Sequence, residues 1–302
     1  MRPVAPHLTP SPRRRGRGRD RRTIARRRAV ALTVVVALAL AVGWEVRRHL
    51  PGDVTSASAA AHGATIVRYD IRSRFVHRTL PQTAAIPVGA GATGRRPLLV
   101  FLHGRGGDGN ESNSNSAFYD ALRKLGTRAP VVVFPNGGVD SYWHKRASGD
   151  WERYVLDEVI PQAVKRLHAD PHRIAIGGIS MGGYGAYEIA RRRPAEFCAV
   201  GGHSAALWLQ AGGSAAGAFD DAEDYARNDV LALARARGRA PWGKAALWLD
   251  GGTEDPFRAG GEAFARALRI PMHHWRGGHD SDYWHAHYTT YLRFYADALA
   301  RC

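Results

Sequence analysis

Short apolar runs alternate with longer stretches of helical spacing from residue 98 to the end of the chain. The runs are short enough to be buried strands, and they lie at 98–102, 131–134, 173–177, 197–201, 245–249 and 271–275. The helix-like stretches lie at 116–125, 151–167, 183–193 and 285–299. Strands that alternate with helices need crossover connections, which place neighbouring strands parallel to each other. The pattern therefore predicts an α/β fold with a mainly parallel central sheet and helices on both faces.

The segment before residue 98 is predicted to add two strands, at 65–73 and 78–86, and a loop at 87–96. Residues 64–302 are numerous enough to bury one core, and we expect them to form a single domain. Within it, the segment 207–244 interrupts the alternation and carries a helix-like run at 220–237. This insertion is either a lid or wall beside a site, or a packing helix with a solvated face.

Residues 29–42 carry no charge and follow a stretch rich in arginine. As a helix with a rise of ~1.5 Å per residue, they would span roughly 21 Å, less than the ~30 Å hydrocarbon layer of a bilayer. That length favours the core of a signal peptide. An uncleaved anchor also stays open, because small residues suited to cleavage lie only far downstream. We predict a basic cytoplasmic tail at 1–28, a signal-peptide core or signal anchor at 29–44, and a linker at 45–63.

Both alternatives place the basic tail in the cytoplasm and the folded domain outside it. Arginine pairs in the tail leave the general and twin-arginine export routes open. Residues 1–48 hold 13 arginines and two acids, which is +11 of the net charge of +16. Because the excess positive charge belongs to the tail, it does not indicate a domain that binds nucleic acid. A nucleic-acid-binding arm is the less favoured alternative for the tail itself.

Ser180 lies in the sequence Gly178-Ile179-Ser180-Met181-Gly182, between a predicted strand and a predicted helix. In this context the Gly-x-Ser-x-Gly pattern is typical of a nucleophile elbow, a sharp turn that presents the serine hydroxyl. The turn brings neighbouring backbone close, so positions two residues before and after the serine require glycine. We therefore predict that Ser180 is a nucleophile.

A serine nucleophile needs a histidine base and a carboxylate that orients the histidine, and in chains with this elbow they follow in the order serine, acid, histidine. The loop after the strand at 245–249 offers Asp255, which precedes a proline that ends strand pairing. Glu254 and Asp250 are rival candidates in the same segment. His279 follows two glycines in the next strand-to-helix loop and is the predicted base.

The tetrahedral intermediate of acyl transfer also needs hydrogen-bond donors for its oxyanion. The N–H of Met181 begins the helix after the elbow and is one candidate. The other should come from the glycine-rich loop that starts with His103 and Gly104 after the strand at 98–102. A phosphate cradle is less favoured, because the loop lacks the lysine of a P-loop and no helix starts at once.

At this point the chain resembles the esterase D, feruloyl esterase and antigen 85 branch of the α/β-hydrolase superfamily. The resemblance spans about residues 98–299, and its motifs are Leu102-His103-Gly104, Gly178 to Gly183, Asp150 to Val155 with Glu158 to Pro161, the loop ending at Asp255, and Gly277 to Asp280 with Tyr283 and Trp284. It implies an α/β-hydrolase fold and a serine acyl hydrolase or acyltransferase without metal or organic cofactor. It also implies that the N–H groups of Arg105 and Met181 form the oxyanion hole. The acid loop and the segment 207–244 depart from the family pattern, so the substrate does not carry over.

Several other side chains are candidates for contact with substrate. They are His103, Gly104, Trp151 and Trp284, while core packing is the alternative for the tryptophans. We expect an ester-bearing small molecule, lipid or polysaccharide as substrate, no nucleic acid, and a monomer. A non-catalytic member that binds glycolipid or polysaccharide is the alternative from another class. The residues alone do not separate hydrolysis from acyl transfer.

Neither metal binding nor a disulfide is the first expectation from the sequence. The pairs His273-His274 and His285-Ala286-His287 do not converge on a strand or a helix, so we predict no catalytic metal. Loss of activity on chelation, with recovery on adding zinc, would contradict this. Cys198 is expected to be a buried thiol and Cys302 an exposed one, with pairing in an oxidising compartment as the alternative.

Overall fold

Among the residues that the structure describes, the central sheet of the computed structural model has nine strands, in the order β1-β2-β3-β5-β4-β8-β9-β10-β11. The strands are β1 (Thr55–Ala57), β2 (Ala64–Arg72), β3 (Thr79–Pro87), β4 (Arg96–Leu102), β5 (Val131–Phe134), β8 (Ala169–Ile179), β9 (Ala199–His203), β10 (Ala246–Gly252) and β11 (Met272–Trp275). A separate two-stranded sheet pairs β6 (Lys145–Arg146) with β7 (Gly149–Asp150). All strands from β5 through β4 to β11 pair in parallel, while β1, β2 and β3 pair antiparallel. The predicted mainly parallel sheet is confirmed.

The structure describes residues 55–57, 63–88, 94–106 and 114–302. They belong to the unit Val54–Cys302. The predicted tail at 1–28, the apolar segment at 29–44 and most of the predicted linker lie outside the described residues. None of the helices among the described residues combines the length and apolar character that crossing a bilayer requires.

Helices cover both faces of the sheet. They are α1 (Ser116–Arg123), α2 (Trp151–Tyr154), α3 (Ile160–Arg166), α4 (Met181–Ala190), α5 (Ala222–Arg227), α6 (Val230–Arg237), α7 (Arg258–Leu268) and α8 (Ser281–Ala300). Along β4, Leu98, Val100 and Leu102 belong to one buried cluster and Leu99 and Phe101 to the other. This division follows from the alternation of side chains along a strand.

Three helical segments differ from the sequence prediction. A π-helical turn at Val155–Val159 divides the predicted helix at 151–167 into α2 and α3. The predicted run at 220–237 forms two helices, because Asp229 caps the N-terminus of α6 by accepting a hydrogen bond from the N–H of Ala232. Helix α7 was not predicted.

Cys198 and Cys302 form a disulfide, with their Cα atoms 5.7 Å apart. The first expectation, two unpaired thiols, was therefore wrong, and the alternative applies. The reason is the course of α8, which packs on β8, β9 and β10 and brings the residue after its end back to the start of β9.

Replacing Cys302 by serine is expected to lower the free energy of unfolding by about 2–4 kcal/mol, because the disulfide closes a loop with a sequence separation of 104. Urea unfolding with and without reductant measures this effect. Reductant should destabilise the wild type and leave Cys302→Ser unchanged. Two titratable thiols in denatured, unreduced protein would contradict the pairing.

Candidate active site

Ser180 occupies the sharp turn between β8 and α4. Its backbone has φ 56° and ψ −115°, a strained combination for a residue with a side chain. The turn is fixed by hydrogen bonds: the Ser180 N–H donates to the carbonyl of His203 over 3.0 Å, and the Ser180 carbonyl accepts from the N–H groups of Tyr184 and Ala206. The strand-turn-helix context expected for a nucleophile elbow is therefore present.

The glycines that flank the elbow lie against the end of β4. A methyl group on either Gly178 or Gly182 would collide with the carbonyl oxygen of Leu102. Because the colliding atoms belong to the backbone of a buried strand, they cannot move aside as a flexible side chain would. The two glycines thus let the elbow approach the strand that leads into the Gly104 loop.

The substitution Gly182→Ala is expected to lower the free energy of unfolding by about 2–3 kcal/mol through this overpacking. Gly212→Ala is the matched control, since a methyl there would meet no atom within 4 Å. Urea unfolding of both variants measures the difference. Equal stability of the two variants would show that the close approach of the elbow to β4 is absent in solution.

Ser180, His279 and Asp255 form a continuous hydrogen-bonded chain. The Oγ of Ser180 is 2.9 Å from Nε2 of His279, and Nδ1 of His279 is 3.1 Å from Oδ2 of Asp255. An ionised carboxylate only accepts hydrogen bonds, so Nδ1 carries the proton and Nε2 is left to accept one from the serine hydroxyl. In this state the imidazole is arranged to act as a base toward Ser180.

Asp255 is buried, with 6% of its surface exposed. Burial alone would raise the pKa of its carboxyl, but hydrogen bonds from His279 and from the N–H of Phe257 outweigh burial and lower the pKa below its usual value. The carboxylate is therefore charged at neutral pH. Of the two rivals, Glu254 is exposed, and Asp250 bonds to other buried side chains.

Aromatic rings line the site around His279. The rings of Phe257 and Trp284 meet the imidazole edge to face, at centroid distances of 4.9 and 5.3 Å. Trp208 contacts Phe257 at 5.7 Å and Tyr142 at 5.6 Å. Since Trp208 lies at the start of the 207–244 insertion, this part of the insertion contacts the ring beside His279. Phe257 was not among the predicted site residues, although its position two residues after Asp255 was a usable signal.

The glycine-rich loop after β4 approaches Ser180 closely. A Cβ on Gly104 would lie 3.4 Å from the Cβ of Ser180. The next residue is Arg105, and the N–H of Gly106 donates to the carbonyl of Val139 over 2.9 Å, which fixes the loop. Met181 begins α4, where the first backbone N–H groups have no acceptor within the helix. Residues 107–113 lie outside the described part of this loop.

Two of the predicted substrate contacts are buried instead. His103 is 1% exposed; its Nε2 accepts the N–H of Gly137, so its protonated Nδ1 donates to the carbonyl of Gly104. Through these two bonds, the buried imidazole of His103 holds the backbone of Gly104 against that of Gly137. Trp151 is 2% exposed, and its indole N–H donates to Ser148. We therefore assign neither side chain a contact with substrate, because both are enclosed by protein.

The described residues contain no group of three or more histidine, cysteine, aspartate or glutamate side chains placed to hold a metal ion. His273 stacks on Trp248, and His287 stacks on Trp275.

Comparison with known proteins places the chain in one family. Residues 80–295 match the family described as "Putative esterase". Among characterised proteins, Esterase Rv1288 of Mycobacterium tuberculosis is 28% identical over 116 residues, which cover 36% of this chain and 25% of that protein. The matched region thus spans about a quarter of that relative.

Solved structures show the same fold at low identity. A ferulic acid esterase aligns with a TM-score of 0.69 and 22% identity, covering 78% of this chain and 98% of the other. The S-formylglutathione hydrolase of Agrobacterium tumefaciens aligns with a TM-score of 0.65 and 19% identity, covering 83% and 100%. These likenesses confirm the α/β-hydrolase fold. The match over residues 80–295 shows that the chain belongs to this esterase family.

Proposed function

We propose that the chain is an exported serine esterase that works through an acyl-serine intermediate. The observation that carries the proposal is the hydrogen-bonded chain from Ser180 through His279 to a buried, charged Asp255, with Ser180 in a strained turn. A serine hydroxyl is a weak nucleophile near neutral pH, and this arrangement removes its proton as it attacks.

In the proposed reaction, the Oγ of Ser180 attacks the carbonyl carbon of an ester while Nε2 of His279 takes the hydroxyl proton. Asp255 holds the imidazole in the required tautomer and stabilises the imidazolium that forms. The N–H groups of Arg105 and Met181 are the proposed donors to the oxyanion. His279 then returns the proton to the leaving alcohol, and water, activated by the same imidazole, releases the acid.

The same acyl-enzyme is open to attack by an alcohol instead of water, which would make the protein an acyltransferase. Incubation with a chromogenic ester and increasing concentrations of an acceptor alcohol separates the two fates. A new ester in place of free acid would favour transfer. We propose hydrolysis first, because membership of the esterase family supports it.

Export is part of the proposal. The arginine-rich tail followed by the uncharged stretch at 29–42 supports it, and so does the Cys198–Cys302 disulfide, since such bonds persist mainly in oxidising compartments. The proposed substrate is an ester of a small molecule, lipid or polysaccharide outside the cytoplasm, and the proposed state is a monomer. Cell fractionation with thiol blocking at lysis tests the location.

The decisive experiment is labelling with a fluorophosphonate, followed by peptide mass spectrometry. We expect one adduct, on Ser180, which is lost in both Ser180→Ala and His279→Ala. The His279 variant matters because it keeps the hydroxyl and removes only the base. Failure of the folded wild type to react would favour the alternative of a non-catalytic protein that binds glycolipid or polysaccharide.

A further inference from the structure

A buried carboxylate lies beneath the proposed triad and takes no part in it. Asp250, at the carboxyl end of β10, is 1% exposed. Its Oδ1 accepts hydrogen bonds from the hydroxyls of Tyr291 and Tyr283, at 2.9 and 3.2 Å. Its Oδ2 is bonded to Nδ1 of His203 at 2.6 Å and to the indole N–H of Trp248 at 2.8 Å. A charge buried away from water costs free energy unless it is hydrogen-bonded, and these four donors offset that cost for Asp250.

These donors connect Asp250 to the segments that carry the triad. His203 is the last residue of β9, and its carbonyl accepts the N–H of Ser180. Asp250 itself precedes Asp255 by five residues and belongs to β10, the strand that leads into the Asp255 loop. Tyr283 belongs to the first turn of α8, four residues after His279. The Asp250 carboxylate is therefore linked, by hydrogen bonds or by its own strand, to the segments that precede or follow each of the three triad residues.

The His279 loop runs from Gly277 to Asp280, and Tyr283 contacts both of these residues. Its backbone N–H donates to Oδ1 of Asp280 over 2.9 Å. Its ring packs against Gly277, where an added Cβ would lie 2.8 Å from the ring carbon Cδ2. The carbonyl of Gly277 in turn accepts the N–H of Glu254, next to the proposed acid. The hydroxyl of Tyr283 attaches this assembly to Asp250 of β10.

We infer that Tyr283 is a positioning residue, whose hydrogen bond to Asp250 holds the His279 loop so that Nε2 stays within reach of Ser180. The inference rests on the proposed function. The His279 loop connects β11 to α8, so the imidazole position depends on how the first turn of α8 is attached. A displacement of a base by about 1 Å is enough to lower a rate strongly, and it need not alter substrate binding.

The chain supplies a matched control for this idea. Tyr291 lies on the same helix, is also buried, and donates to the same oxygen of Asp250, but it is twelve residues from His279 instead of four. The substitutions Tyr283→Phe and Tyr291→Phe therefore remove the same chemical group from the same acceptor. A role in satisfying the buried carboxylate predicts similar effects of the two, whereas a role in positioning His279 predicts different ones.

The test is steady-state ester hydrolysis by wild type, Tyr283→Phe and Tyr291→Phe, with kcat calculated per site titrated by fluorophosphonate. For Tyr283→Phe we expect kcat to fall about tenfold or more with KM changed less than twofold, and for Tyr291→Phe we expect kcat within about twofold of the wild type. Counting reactive sites removes any contribution from unfolded protein.

Equal kcat values for the two variants would overturn the inference, and so would a Tyr283→Phe protein that fails to fold, since the hydroxyl would then serve the fold. These outcomes differ from failure of the proposed function. In that case the wild type itself would show no ester hydrolysis beyond that of Ser180→Ala.

Discussion

Replacing Ser180 by alanine is expected to lower kcat for ester hydrolysis by about 10⁴–10⁶-fold, because no acyl-enzyme can form. Stability should change little. Alanine meets the same strain at φ 56° as serine does, and the backbone hydrogen bonds of the turn do not involve the hydroxyl. Initial rates with a chromogenic ester, compared with urea unfolding, measure the two effects separately.

Ser214→Ala is the control for this experiment, since the Ser214 hydroxyl donates an exposed hydrogen bond to the nearby carbonyl of Ala211. Its rate should equal that of the wild type. A Ser180→Ala protein that retains more than about a hundredth of the wild-type kcat would place the nucleophile elsewhere. Mass spectrometry of a trapped acyl-enzyme would then identify the residue.

The substitution Asp255→Asn is expected to lower kcat by about 10⁴-fold, by analogy with the effect of the same change in a serine protease triad. An amide can donate to Nδ1 of His279, which would move the imidazole proton to Nε2 and leave no acceptor for the Ser180 hydroxyl. Glu254→Gln is the matched control, because it removes the neighbouring charge, which is exposed, and leaves the bond from His279 to Asp255 in place. Its kcat should stay within about twofold of the wild type.

The same substitution should change how stability depends on pH. The folded pKa of Asp255 is lowered, so its charged form contributes stability that is present above the unfolded pKa, about 4, and is lost as pH falls through the folded value. Asp255→Asn should remove this contribution and flatten the acid side of the stability curve. Urea unfolding between pH 3 and 7 measures the change, and identical curves for the two proteins would contradict the assigned environment.

Local patterns in the sequence were sufficient for the parts of the site that depend on local structure. The strand, the turn and the helix around Ser180 are specified by one apolar run and two glycines, so this element was predictable. Ser180, Asp255 and His279 lie together because each follows a strand of the parallel part of the sheet, and the loops at the carboxyl ends of those strands meet at one edge.

Features that depend on distant partners were not predictable. Helix α7 contains Gly260 and Gly261, which lower helix propensity, yet a Cβ at Gly260 would collide with the backbone of Leu207. The donors to Asp250 lie up to 47 residues away in sequence, and only the folded sheet brings them together. The Cys198–Cys302 pair likewise depends on the length and direction of α8. His103 was predicted to contact substrate because its place in the motif can be read from the sequence, whereas its burial is seen only in the folded structure.

The rings beside His279 also give the protein its own optical signal. Trp284 meets the imidazole edge to face, and Trp208 is linked to it through Phe257. Acylation removes the Ser180 hydroxyl proton that Nε2 of His279 accepts, so it changes the surroundings of the imidazole ring that Trp284 contacts. The chain has eight tryptophans in total, so the change is measured against the emission of the other seven. We therefore expect tryptophan emission to change when Ser180 is acylated, and stopped-flow fluorescence measures this with unmodified, colourless esters, which opens natural lipid and glycan esters to direct kinetic comparison.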